Sequence, residues 1–164
     1  MKTGIIYGSN FAYSLTAPEG WVLDNTSGVQ NGLDAVFYKK GGSWAKSVAV
    51  MYTNTASLED NAHRSLDLLM KYDVNEFMKN YPDMHITNGK DIILRNNKIA
   101  KVKYLFGKTY KNYEAVAYID AGKNCIMIVI SSKNKDEYDK SLQAFESIVK
   151  SYLYITDKVQ RIKK

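Results

Sequence analysis

Glu59, His63 and Asp67 are the residues whose types and spacing come nearest to chemistry in this chain. On a helix, positions i, i+4 and i+8 share a face. The three could then hold a divalent cation, or a carboxylate could orient the imidazole as a general base. The competing reading is a solvated stripe with Arg64 beside it. The His-Glu-x-x-His order of zinc enzymes is missing and no second histidine is close in sequence. The metal or catalytic reading therefore stands as an alternative only.

Other reactive residue types lack the setting their chemistry needs. "YGSNF" around Ser9 is not a Gly-x-Ser-x-Gly elbow. Cys125 is the only cysteine, so no disulfide can form within the chain, and its place in "CIMIVI" predicts a buried thiol rather than a nucleophile. "KKGGSWAKS", residues 39–47, has the lysines before the glycines and a strand after them, the reverse of a phosphate-binding loop. What remains is Trp44 among Lys39, Lys40 and Lys46. Either the indole folds back over a sheet edge, or it is exposed and forms, with these lysines, the anchor of a protein-binding surface.

Charge is spread unevenly. The net charge is +6, and residues 86–114 hold seven bases (Lys90, Arg95, Lys98, Lys101, Lys103, Lys108, Lys111) against Asp91 and Glu114. This suits an acidic partner, or it decorates the wet face of a sheet. Tyr104, Tyr110, Tyr113 and Tyr118 lie among these lysines, the ingredients of a single-strand stacking platform. No RNA- or DNA-binding signature accompanies them, and tyrosine is ordinary strand material. A nucleic-acid partner is not expected. His85 stands alone before a strand and reads as an edge residue.

The elements that must position these residues follow from periodicity. At 164 residues with a 45% hydrophobic share, one soluble domain spanning 1–164 is expected, with 155–164 as a loose tail or an added strand. No apolar run approaches the roughly 20 residues of a bilayer span. Nor does the start contain the apolar core of about 7–15 residues that a secretory signal needs. Short strands are predicted at 4–8, 13–17, 21–24, 35–38 and 47–53, the last apolar on both faces and so covered on both sides. "SLED" resembles a capping box opening a helix at Ser57. Leu58, Ala62, Leu66, Leu69, Met70, Phe77 and Tyr81 write its apolar stripe until Pro82, with a kink or second start at Asp73. A four-strand meander fills 84–132. A closing helix begins at Asn134 and buries Leu142, Phe145, Ile148, Val149 and Tyr152. Strands joined by short turns must be antiparallel neighbours, which predicts an α+β fold, an antiparallel sheet flanked by helices.

"YSLTAPEGW", Tyr13 to Trp21, carries an aromatic-x-Leu-x-x-Pro-x-Gly-Trp pattern, with Pro18 and Gly20 making a corner and Trp21 predicted to turn inward as a core anchor. By this pattern, by the helix after the first sheet segment and by the closing "SLQAFESIVKSY", the chain resembles the PsbP-like fold family. That family includes the extrinsic photosystem II protein, a Ran-binding nuclear import factor and bacterial envelope proteins. The run from "APEGW" to "GGSW" is similar to a bacterial subgroup within it. The resemblance implies an α/β/α sandwich, a partner-binding scaffold, no inherited catalytic residues and no cofactor. It also implies a periplasmic or secreted location with the signal removed, the alternative being cytoplasmic. The expectation is a non-enzymatic module for a protein partner that binds through Trp44, Lys39, Lys40 and Lys46. The alternatives are metal or catalytic use of Glu59, His63 and Asp67, and a small ligand in a tyrosine-lined cavity of the sheet.

Overall fold

The opening strands pair because the turns between them are tight. The computed structural model describes residues 2–60 and 63–160. β1 (Lys2–Tyr7) and β2 (Ala12–Ala17) form an antiparallel pair, closed by the Gly8 N–H on the Phe11 carbonyl at 2.9 Å. Pro18-Glu19-Gly20 then reverses the chain, with the Trp21 N–H on the Pro18 carbonyl at 3.1 Å and Gly20 at φ +82°. Glycine enters that left-handed region without a Cβ clash. β3 (Trp21–Asp24), β4 (Ala35–Lys39) and β5 (Ala49–Ser57) follow as antiparallel neighbours.

β5 runs four residues beyond the predicted end, and this moves the helix. Its partner β10 (Asn124–Ser132) supplies nine register positions, from Asn124 opposite Ser57 to Ser132 opposite Ala49. Leu58 extends the pairing with its N–H on the Lys123 carbonyl at 2.8 Å. Ladder bonds outcompete a local cap, so Ser57 ends a strand, and its hydroxyl merely accepts from the Glu59 amide at 3.1 Å. α1 (Leu66–Asn80) starts nine residues after Ser57, capped by Ser65, whose hydroxyl accepts from the Leu68 amide at 3.3 Å. The helix is continuous through Asp73, so no second start exists there. Ala62 of the predicted stripe lies outside the described residues, and Leu58 packs into the core from the connection rather than from the helix.

The meander forms with its first predicted strand split in two, β6 (His85–Asn88) and β7 (Ile92–Ile93), both paired with β8 (Ile99–Phe106), and continues through β9 (Tyr113–Asp120) to β10. α2 (Lys135–Lys150) is capped by Asn134, which accepts the Glu137 amide at 2.9 Å. β11 (Leu153–Thr156) then pairs with β2, so this part of the tail is a strand.

Three layers result. The central sheet runs β3-β4-β5-β10-β9-β8-β6, with β7 beside β8. α2 and the small sheet β1-β2-β11 cover one face, where Leu15, Trp21, Phe37, Met51, Ile128, Phe145 and Ile148 interlock. α1 covers the other, placing Leu69, Phe77 and Tyr81 against Leu105, Val116, Tyr118 and Val129. Alternation along each strand feeds both cores, so the α+β expectation holds and each helix has its own face. Trp21 is 7% exposed and anchors the α2-side core as predicted.

Candidate functional site

Trp44 lies in the connection between β4 and β5. A single turn of chain, with the Lys46 and Ser47 amides both on the Ser43 carbonyl at 3.2 and 3.0 Å, folds the indole back over β5. Its ring meets Tyr52 edge-on, centroids 6.0 Å apart at 83°, leaving Trp44 half-buried while Lys40 and Lys46 are exposed. Lys39 is not part of this cluster. It follows Phe37 on the α2 side of β4, and its Nζ lies 2.8 Å from Glu137 Oε2 on α2. The indole sits on the other face, so alternation along β4 separates the two.

Glu59, His63 and Asp67 do not share a helix face, because two of them precede α1. Glu59 lies 3.7 Å from Lys123 Nζ. The His63 ring packs edge-on against Tyr72, centroids 4.4 Å apart. Asp67 is exposed in the first helical turn. Among the described residues, no group of three or more His, Cys, Asp or Glu side chains converges as a metal site.

One buried and two half-buried carboxylates are the feature that periodicity missed. Glu114, 3% exposed on the α1 side of β9, accepts from Tyr110 OH at 2.6 Å and Ser131 Oγ at 3.0 Å. Asp73 on α1 accepts from Tyr118 OH at 3.1 Å. Asp34 accepts from Thr55 Oγ1 at 2.6 Å, and Tyr13 OH reaches it at 3.5 Å while bonding Thr53 at 3.0 Å. Burial raises all three carboxyl pKa values, and the hydroxyl donors only partly oppose it. The signal available was one acid inside each apolar pattern, "YEAVAYID" and the "YDVN" dip. Each pair sets an acceptor against a phenol whose own pKa burial has raised, so the arrangement satisfies buried polar groups rather than generating a nucleophile. The Cys125 thiol is buried and pushed up to about 12 by burial, as its apolar run implied.

The tyrosines among the lysines do not form one platform. Tyr110 and Tyr118 pack on the α1 side, Tyr104 and Tyr113 on the α2 side. Lys101 and Lys103 occupy the wet alternate positions of β8, tied to Asp91 at 2.8 Å and to the Asn88 side chain respectively. On the α2 side, Tyr104, Phe106, Tyr113 and Tyr138 line an open groove of about 320 Å³, with His85 and Thr87 of β6 as its outer wall. Phe106 and Tyr113 stack at 4.3 Å and 11°. His85 is exposed on this edge strand, as its position suggested.

No protein-family model matches the chain, and none of the curated proteins matches it. Solved structures do share its fold. Cyanobacterial PsbP (CyanoP) from Synechocystis superposes with a TM-score of 0.55 at 12% identity, over 87% of this chain and 86% of that one. The Ran-binding protein Mog1p of Saccharomyces cerevisiae gives 0.57 at 11% identity, over 94% and 95%. At these identities the likeness is one of fold. Among the described residues, no helix is long and apolar enough to cross a membrane.

Proposed function

We propose that the chain is a non-catalytic module whose task is to bind a protein partner, with Trp44 as the anchor and Lys40 and Lys46 beside it. The observation that carries this is the indole itself, held edge-on against Tyr52 yet still half-exposed between two exposed lysines. A large aromatic already fixed in place loses little freedom on binding, and such residues dominate interface energetics when ringed by polar groups. Lys39, tied to Glu137, takes no part in this surface. The Ran-binding description of Mog1p supports the reading as a protein of this fold that has a protein partner.

A photo-crosslinking residue placed at position 40 or 46 in the producing cells tests it. A discrete adduct is expected from both positions, absent from a probe at Lys133 and lost in Trp44→Ala. Adducts that persist in Trp44→Ala, or their absence from both positions, overturn it. On the resemblance of the "APEGW" to "GGSW" run we also assign the protein to the periplasm or exterior of a bacterium. Detection in the cytoplasmic fraction alone would refute that location.

A further inference from the structure

We propose that β6 is a docking edge for an extended, acidic peptide segment that places an aromatic or large apolar side chain in the adjoining groove. This surface is separate from the Trp44 loop and does not depend on it.

The backbone of β6 is the starting point. β6 ends the central sheet and, among the described residues, pairs only with β8. Gly89 N–H bonds to the Val102 carbonyl at 2.8 Å, while Asn88 stands opposite Lys103. In an antiparallel ladder that makes Asn88 and, two residues back, Ile86 the positions whose N–H and C=O turn away from β8. These outward groups are what an added strand uses. The side chains set the specificity. Ile86 packs towards the α1 core, whereas His85 and Thr87 wall the groove that Tyr104, Phe106, Tyr113 and Tyr138 line. An incoming residue opposite Thr87 would lie on that same face, beside a floor made of aromatic rings. A space of about 320 Å³ suits one large side chain.

Charge selects the kind of segment. Lys90 follows β6 by two residues, Lys108 follows Phe106 by two, and Lys111 precedes Tyr113 by two. All three are exposed, and none has an ion-pair partner among the described residues. Lys111 is also held at φ +64° by its N–H on the Gly107 carbonyl at 2.7 Å, which fixes the turn that carries it. Of the acids nearby, Asp139 is paired with Lys135 and Asp91 with Lys101, which leaves Asp83, a carboxylate that accepts the Thr109 amide at 2.9 Å, as one charge against the three lysines. The rim is therefore cationic, and acidic residues flanking an aromatic one complement it.

The test pans a displayed library of random peptides on the full chain and synthesises the enriched sequences. Acidic sequences with a central aromatic are expected, shifting the backbone resonances of Ile86 and Asn88 on binding. Ile86→Pro deletes an outward N–H while leaving the ladder to β8 intact. It should weaken binding about tenfold, one hydrogen bond's worth. N-methylation of alternate peptide amides makes the same cut without altering the protein. Failure to enrich any sequence overturns the proposal. So do peptides whose affinity survives both Ile86→Pro and N-methylation. Peptides that instead lose binding in Trp44→Ala support the indole surface and refute this one. Dimerisation of the chain that Ile86→Pro abolishes would assign the edge to a second copy and also refute it.

Discussion

Two tryptophans follow tight glycine-containing turns, and their surroundings give them different roles. Trp21 begins β3 opposite Lys39 and fills the core beneath the small sheet. Trp44 lies over Tyr52 and keeps part of its surface in water. Replacing a buried tryptophan by alanine costs about 3–5 kcal/mol through lost burial and a cavity, and Trp21→Ala should fall there in urea unfolding. Trp44→Ala should cost about 1 kcal/mol, the centre of the range for ordinary substitutions. Equal losses would mean that Trp44 is a core residue and unsuited to a partner. The corner before Trp21 was readable because proline and glycine act within four residues. The split of Lys39 from Trp44 was not, because it depends on Glu137, 98 residues away.

Helix α1 shows how a strand can overrule a local signal. Ser57-Leu58-Glu59-Asp60 has the form of a capping box, but Ser57 is held opposite Asn124 in the β5–β10 ladder. Ser65 caps instead, without an acid at the third position. Ser65→Ala should therefore destabilise the protein by about 1 kcal/mol. Ser57→Ala should stay within about 0.5 kcal/mol, as surface changes away from a cap do. Thermal melts of the two variants distinguish the two helix starts directly, and the reverse order would restore the box at Ser57. The stripe through Leu66, Leu69, Met70, Phe77 and Tyr81 was legible, since it repeats within one element. The starting residue was not, since it is set by how far β10 reaches. The placement of Glu59 and His63 fell with it, as both lie in the segment that strand pairing pulls away from the helix.

At the scale of the molecule, both faces of the central sheet are covered, and this buries Glu114 and half-buries Asp34 and Asp73. Each has its pKa raised, first by burial, with hydroxyl donors acting the other way. A raised folded value means the native state holds more protons than the unfolded chain, whose carboxyls titrate near about 4. Stability from these groups is then fully present below that pH and is lost as pH rises through the folded values. Asp24 has the opposite sign. Partial burial raises it, but the hydroxyls and amides of Ser27 and Thr26 together outweigh that and hold it well below the usual carboxylate range. Its contribution is present at neutral pH and lost on acidification. Glu114→Gln isolates the first effect, because the amide oxygen can still accept from Tyr110 and Ser131 while carrying no charge. The variant should melt higher than the parent at pH 8, with the difference shrinking towards pH 4, where Glu114 is protonated in both states. Asp24→Asn should do the reverse, losing stability at pH 8 and approaching the parent in acid. A Glu114→Gln advantage that does not change with pH would mean the gain comes from packing, and the buried carboxyl would not be the source of the pH dependence.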